Sequence, residues 1–248
     1  MNTKICKTIR NIKSYFFIRR IFEILHKRRM LEVVKYNKKI QMILDINLDD
    51  YKEYSYEFTP IEIKIKPAEV YGKFINIRNK EEEKYYHIYF NDCLKEIKKK
   101  YELNRDDNIS KIKIILDYQV KSLNQLFFMC TGAERIHFKK FHRINIKDMS
   151  DMFYECTSLK EINLTNFITD NVTDMSYMFH GCSSLKKLDL TSFDTSNVKE
   201  MNGMFHACTS LEEIDVSSFD TSNVNDMSKL FSKCSSLKKN KCISFYYE

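Results

Sequence analysis

A repeat of 26 residues runs through the C-terminal half of the chain and constrains its fold more than any other feature. One cysteine marks each repeat, Phe stands three residues before it, and Leu stands three residues after the last four cysteines. The cysteines are Cys130, Cys156, Cys182, Cys208 and Cys234. Self-similarity at a fixed period is typical of repeat architectures, in which each unit buries its apolar face against the next unit.

The segment before each cysteine predicts a short amphipathic helix. In the unit from Val172 to Phe193, apolar residues recur at spacings of three and four: Val172, Met175, Met178, Phe179 and Cys182. Asn171 precedes the run and Asp174 lies three residues further on, which favours a helix N-cap with an acid at the third position. The same pairing recurs as Asn145/Asp148, Asn197/Glu200 and Asn223/Asp226.

The segment after each cysteine predicts a strand, because Leu185, Leu188 and Leu190 follow the pattern Leu-x-x-Leu-x-Leu with polar residues in between. Neither a two-turn helix nor a three-residue strand can bury its apolar side alone. The repeats therefore predict an α/β solenoid with one short helix and one parallel strand per 26-residue coil. Shifting by one period pairs Ile112 with Phe138, so we expect a degenerate first coil from Lys111.

The unit NVTDMSYMFHGCSSLKKLDLTSFDTSNV, Asn171 to Val198, resembles the repeat of BspA-like leucine-rich-repeat surface proteins. The resemblance covers roughly residues 120–245. It implies a leucine-rich-repeat solenoid and recognition of another protein, which in some members is a host or matrix protein.

The exposed positions of the strands are the candidate binding site. One column alternates in charge through Arg135, Glu161, Lys187, Glu213 and Lys239. With its two neighbouring columns, it predicts a polar concave face for a protein partner, made of Glu161, Asn163, Thr165, Lys187, Asp189, Thr191, Glu213, Asp215 and Ser217. The ion-pair column also has a purely structural interpretation, as a ladder that holds the strand register. Nucleic acid is not expected there, because it requires a consistently basic stripe.

Catalytic and metal-binding motifs are absent from the sequence. It has no Gly-rich phosphate loop, no Gly-x-Ser-x-Gly, no His-Glu-x-x-His and no Cys-x-x-Cys. We therefore expect neither an enzyme nor a cofactor. The repeated cysteines fall in an apolar column, which predicts buried thiols. His180 and His206 share one column and should stack, although Tyr154 and Ser232 in the same column argue against a metal site.

The chain before the repeats predicts two further regions, so we expect domains over residues 1–58, 59–103 and 104–248. Residues 1–40 carry 12 Lys/Arg against Glu23 and Glu32 and show helical periodicity, which predicts a helical hairpin. Tyr15 to Gln41 resembles an F-box, and this resemblance implies a substrate adaptor of a ubiquitin ligase as the alternative function. Residues 59–103 predict strands at Ile61–Ile65, Val70–Ile77 and Tyr85–Phe90, and a helix over Leu94–Leu103.

The sequence also predicts a compartment and a mode of association. No run of about 18 apolar residues is present, so a transmembrane segment is not expected. The charges at Arg19, Arg20 and Glu23 interrupt the most apolar N-terminal run, so we expect a cytoplasmic protein without a signal peptide. A mitochondrial presequence stays open as an alternative. The last strand leaves an open sheet edge, which predicts possible self-association at the C-terminal end.

Overall fold

A computed structural model describes residues 31, 34, 37–47, 59–141, 143 and 145–238 of the chain. The chain divides into two compact units, residues 1–56 and residues 57–248. In the first unit, helix α1 spans Lys38–Ile43 and begins at Asn37, whose side chain accepts a hydrogen bond from the Ile40 amide at 3.2 Å. The predicted helix before residue 31 and most of the F-box-like segment lie outside the described residues.

Strands dominate the regular structure of the second unit. In chain order they are β1 Ile61–Pro67, β2 Gly72–Lys73, β3 Tyr86–Phe90, β4 Glu102–Leu103, β5 Ile112–Leu116, β6 Ala133–Lys140, β7 Glu161–Asn163, β8 Lys187–Leu188 and β9 Glu213–Ile214. Five of them form one sheet in the order β3-β5-β1-β6-β7, while β2 pairs with β4 and β8 pairs with β9. Only the pairs β6–β7 and β8–β9 are parallel, and the other pairs are antiparallel.

Strand β1 lies at the centre of the five-stranded sheet. Its isoleucines are buried and alternate with Glu62, Lys64 and Lys66, as a strand with one covered face requires. Ile63 pairs with Ile114 of β5 on one side and with Phe138 of β6 on the other. The predicted strands at Ile61–Ile65 and Tyr85–Phe90 are thus confirmed, except that β1 extends to Pro67 and β3 begins at Tyr86. The helix predicted over Leu94–Leu103 is wrong, because this segment contributes a bridge at Ile97 and the short strand β4.

Strand β5 departs from the predicted first coil. The shift of 26 residues would place Ile112 beside Phe138 on neighbouring parallel strands, but β5 instead pairs antiparallel with β1 and β3. Backbone hydrogen bonds between successive repeats begin further along the chain, where the Leu123 amide donates to the Asp148 carbonyl at 3.1 Å.

The predicted α/β solenoid with leucine-rich-repeat architecture is wrong. Among the described residues between 59 and 238 no α-helix forms, and the single helical turn is the 3-10 turn Glu83–Tyr85. Each repeat segment predicted as a helix is a series of tight turns. Among the described residues, the predicted continuous parallel sheet is replaced by the two short pairs β6–β7 and β8–β9 and by isolated parallel bridges that join Asp148, Asp174, Glu200 and Asp226.

Hydrogen bonds between repeats explain why these segments are turns. The amides of Met175, Tyr177 and Phe179 donate to carbonyls of the following repeat at 2.9, 3.0 and 2.9 Å. The amides of Met178 and His180 instead donate three positions back, to the carbonyls of Met175 and Tyr177, at 3.3 and 3.0 Å. A left-handed backbone at Tyr177, with φ 53°, and at Gly181, with φ 68°, permits this alternation. The backbone groups are therefore satisfied by the neighbouring repeat, so a helix gains nothing further.

The predicted helix caps are wrong as well. Their side chains form hydrogen bonds within a turn or to the neighbouring repeat. Asp174 accepts hydrogen bonds from the Ser176 amide at 2.9 Å and its hydroxyl at 2.6 Å. The Asn197 side-chain amide donates across the repeat boundary to the Asp170 carbonyl at 2.7 Å.

Two columns of stacked phenylalanines fill the core of the repeats. The first contains Phe127, Phe153, Phe179, Phe205 and Phe231, with successive ring centroids 5.4, 5.3, 5.9 and 5.1 Å apart and nearly parallel planes. The second contains Phe141, Phe167 and Phe193, with centroids 3.9 and 5.9 Å apart. The periodicity therefore predicted the buried side of the repeat, although it did not predict the backbone that presents it.

Candidate functional site

We call the predicted binding surface, with columns Glu161/Lys187/Glu213, Asn163/Asp189/Asp215 and Thr165/Thr191/Ser217, the strand face. Its first column lies on short parallel strands. Glu161 lies on β7 beside Arg135 of β6, and their side chains form an ion pair at 3.2 Å. Lys187 of β8 and Glu213 of β9 lie opposite each other in register, but within the described residues no ion pair joins them. The charge ladder predicted from the sequence is therefore formed between Arg135 and Glu161 but not between Lys187 and Glu213, two repeats later.

The second column ends or directly follows these strands, and the third column lies in the turns after them. Asn163 is the last residue of β7, Asp189 and Asp215 follow β8 and β9, and Thr165, Thr191 and Ser217 are turn residues. Asp189 accepts hydrogen bonds from the Thr191 amide at 3.0 Å and from the Thr191 hydroxyl at 2.6 Å, and these bonds lower the pKa of the carboxyl. Asn163 holds Thr165 in the same way, and Asp215 accepts from the Ser217 amide at 3.0 Å. Their polar atoms thus have a fixed direction on the exposed face, because local hydrogen bonds restrict the side chains.

A second polar surface, which the sequence did not reveal, lies on the exposed face of the five-stranded sheet. One row crosses the sheet through Tyr89, Lys113, Lys64, His137 and Asn163, in pairwise register from β3 to β7. Next to it lie Lys111, Lys66 and Arg135. We call this surface, together with Lys139, the basic sheet face. A depression of about 530 Å³ opens on it. Its charged and polar lining consists of Lys64 and Lys66 of β1, Lys113 of β5, Lys111, Asp92, Ser110, Arg135, His137, Glu161 and Asn163.

The predicted core role of the repeated cysteines is confirmed for Cys130, Cys156, Cys182 and Cys208, which are buried, whereas Cys234 is partly buried. From the second repeat onward, each thiol donates to a phenylalanine carbonyl of the preceding repeat, as Cys156 does to Phe127 at 2.9 Å and Cys182 to Phe153 at 3.1 Å. Burial raises the pKa of the Cys156 thiol to about 12, so it stays protonated and a poor nucleophile.

Of the comparisons with known proteins, the one with protein families gives a match, and this match covers the repeat region. A family model described as Mycoplasma protein of unknown function, DUF285, matches residues 121–245, half of the chain. The chain belongs to the DUF285 family. No curated protein and no solved structure matches it. The match includes the strand face but begins after β5, so Lys64 and Lys113 lie outside the DUF285 region. The resemblances to BspA-like proteins and to an F-box stay predictions.

An aromatic stack runs along the turns of the DUF285 repeats. It contains Phe128, Tyr154, His180 and His206, whose successive ring centroids are 4.8, 4.3 and 4.6 Å apart. The predicted stacking of the two histidines is confirmed, and their Nδ1 atoms approach to 3.2 Å. Within the described residues, no cluster of three or more His, Cys, Asp or Glu side chains is arranged for a metal ion.

Burial is the main cause that lowers the pKa of both imidazoles, His180 and His206. The charge of His206 lowers the pKa of His180 further, and Lys233 acts on both rings in the same direction. Glu155 and Asp151 oppose this effect at His180. The pair therefore favours two neutral rings, since two stacked imidazolium ions would repel each other.

We expect acid to destabilise the DUF285 repeats through this pair. Because the pKa values are lowered by folding, the unfolded chain binds more protons between the lowered values and the usual 6.5. The stability is complete above about pH 6.5 and is lost as the pH falls below it. Thermal unfolding at about pH 7.5 and about pH 5.5 should show a smaller fall in Tm for His180→Phe/His206→Phe than for the unaltered chain.

The control for this prediction is Tyr154→Phe, which keeps the stack and both histidines and should keep the full fall in Tm. An equal fall in the double histidine variant and in the unaltered chain would contradict the assignment.

No helix among the described residues is both long and apolar enough to cross a lipid bilayer. The predicted compartment stays a prediction.

Proposed function

We propose that this chain is a non-enzymatic protein-binding protein whose exposed strand face contacts a protein partner. The observation that supports the proposal is the fixed direction of the polar atoms on that face. Asn163, Asp189 and Asp215 each accept a hydrogen bond from the backbone two residues further on. A surface that is rigid before binding loses less conformational entropy in a complex, which favours affinity.

The composition of the face supports a protein partner rather than a nucleic acid. It alternates acidic, amide, hydroxyl and basic groups: Glu161, Asn163, Thr165, Lys187, Asp189, Thr191, Glu213, Asp215 and Ser217. A nucleic-acid surface would carry one sign of charge along its length. Mixed charge instead gives specificity, because it penalises partners with the wrong pattern. The ubiquitin-ligase adaptor stays an alternative that depends on residues 15–41.

Charge reversal on the strand face tests the proposal. The full chain is immobilised, and proteins retained from cells of its source are quantified by mass spectrometry. We expect Asp189→Lys/Asp215→Lys to reduce a specifically retained protein by about tenfold or more, because like charges would face the partner's complementary groups.

The matched control is Asp194→Lys/Asp220→Lys. These aspartates are also exposed and accept from the Ser196 and Ser222 amides, both at 2.9 Å, but they lie in the turns outside the strand columns. The control has the same change in charge and in turn chemistry. Retention that is equal in the two double variants would refute the proposal for the strand face.

A further inference from the structure

The basic sheet face contains cations of two kinds, which differ in their partners. One row consists of Lys111, Lys66 and Arg135, and each of these cations forms an ion pair with a carboxylate. Lys111 pairs with Asp92 at 2.7 Å, Lys66 with Glu134 at 2.9 Å and Arg135 with Glu161 at 3.2 Å. This row shows that carboxylates of the chain itself fit the face at ordinary ion-pair distances.

The neighbouring row lacks such partners. Lys64 and Lys113 lie opposite each other on β1 and β5, and within the described residues neither forms an ion pair. The Lys113 ammonium lies over the Tyr89 ring, 4.5 Å from its centroid. Lys139 approaches Lys64 where the register between β1 and β6 shifts. The nearby Lys64 side chain lowers the pKa of Lys139, and the charge of Glu62 opposes this shift.

Three ammonium groups therefore lie within a small area of sheet, and among the described residues none of them forms an ion pair. Asp92 acts on Lys64 and Lys113, and Glu62 on Lys139, only over a longer distance. Adjacent strands are about 4.8 Å apart, so the repulsion is significant even beside water. An anion placed between these groups would remove the repulsion. The depression of about 530 Å³ gives such an anion a recessed place beside Lys64 and Lys113.

The borders of the face decide which anion fits. Asp92 lies beside Lys111 at the start of β5, Glu161 lies on β7, and Glu62 lies two residues before Lys64 on the same face of β1. These carboxylates limit the unpaired cations to a patch of about two or three strands. A nucleic-acid backbone needs a longer uninterrupted basic path, and the acidic border would repel it. A short extended peptide fits, because alternate side chains point to one side about 7 Å apart.

We propose that the basic sheet face binds a short acidic segment of a protein partner, with its carboxylates on Lys64, Lys113 and Lys139. This inference rests on the proposed protein-binding function and names the chemistry of the partner. Binding at this place would extend the contact from the strand face, since Asn163 belongs to both surfaces.

Fluorescence anisotropy of the full chain with a labelled peptide of about eight residues, alternating Glu and Ser, tests the inference. We expect saturable binding at about 50 mM salt that weakens at about 500 mM salt, because the contact is electrostatic. Lys64→Glu/Lys139→Glu should weaken it by about tenfold or more. The same peptide with Gln in place of Glu should not bind.

The matched control is Lys199→Glu/Lys229→Glu, two exposed lysines of the repeats with the same change in net charge. Circular dichroism confirms that both double variants are folded. Equal weakening by the two double variants, or absence of peptide binding to the unaltered chain, overturns the inference. Tighter binding of an oligonucleotide of about eight bases, lost in Lys64→Glu/Lys139→Glu, also overturns it and assigns the face to nucleic acid.

Asp189→Lys/Asp215→Lys separates this inference from the proposed function. We expect the acidic peptide to bind this variant at least as well as the unaltered chain, because Lys64 and Lys139 are intact. A loss of peptide binding in this variant equal to that in Lys64→Glu/Lys139→Glu overturns the placement on the sheet face.

Discussion

Phe179→Ala should lower the free energy of unfolding by about 3–5 kcal/mol. The Phe179 ring is completely buried and stacks between Phe153, at 5.3 Å and 9°, and Phe205, at 5.9 Å and 5°. Removal of the ring leaves a cavity that the repeats cannot close, because their spacing is fixed by backbone hydrogen bonds. The amides of Phe153 and Phe179 donate to the following repeat at 2.8 and 2.9 Å.

Urea unfolding followed by circular dichroism measures this loss, since the chain has no Trp to report on it. The control is Phe231→Ala. Phe231 is 7% exposed and stacks on Phe205 at 5.1 Å at the last described repeat, so we expect about half of the loss. Equal losses at the two positions would show that the stack does not act as a continuous column.

The buried side of the repeat could be predicted from the sequence, but its backbone could not. Met175, Met178, Phe179 and Cys182 are buried as their spacing indicated. However, spacings of three and four also arise from consecutive turns with alternating hydrogen bonds. Such turns need a left-handed backbone at two residues per repeat, and Asp151 and Glu155 occupy those positions without being glycine. The left-handed backbone at each of these two residues costs about 1–3 kcal/mol. The turn forms despite this cost because hydrogen bonds to the next repeat stabilise it.

The parallel register of the first column was predictable, because Arg135 and Glu161, like Lys187 and Glu213, lie one period apart. The basic sheet face was not, because it depends on β1 inserting between β5 and β6. Lys64 pairs in register with Lys113 and His137, which lie far away in the sequence. The strand with Lys64 and Lys66 on its exposed side was predicted, but Lys111 and Lys113 fell in the predicted first coil of the repeats. Nothing in the local sequence showed that these lysines would be neighbours.

The same insertion of β1 makes Arg143 a residue of large expected effect. Arg143 is completely buried, and its guanidinium donates to the carbonyls of Thr59, Asp117 and Val120, the first two at 3.5 and 3.4 Å. Its Nε atom donates to the Asn145 side chain at 3.1 Å. One side chain thus joins the residues before β1, the residues after β5 and the chain that enters the repeats.

We expect Arg143→Ala to lower the free energy of unfolding by about 3–5 kcal/mol, because buried carbonyls lose their donor and a cavity replaces the side chain. Arg143→Lys should recover less than half, since one ammonium cannot reach acceptors on three segments. The control is Arg135→Ala, which removes a half-exposed guanidinium paired with Glu161 and should cost less than about 1 kcal/mol. Urea unfolding measures all three variants. If Arg143→Ala cost no more than Arg135→Ala, the sheet would be joined to the repeats by apolar packing, and the buried guanidinium would be dispensable.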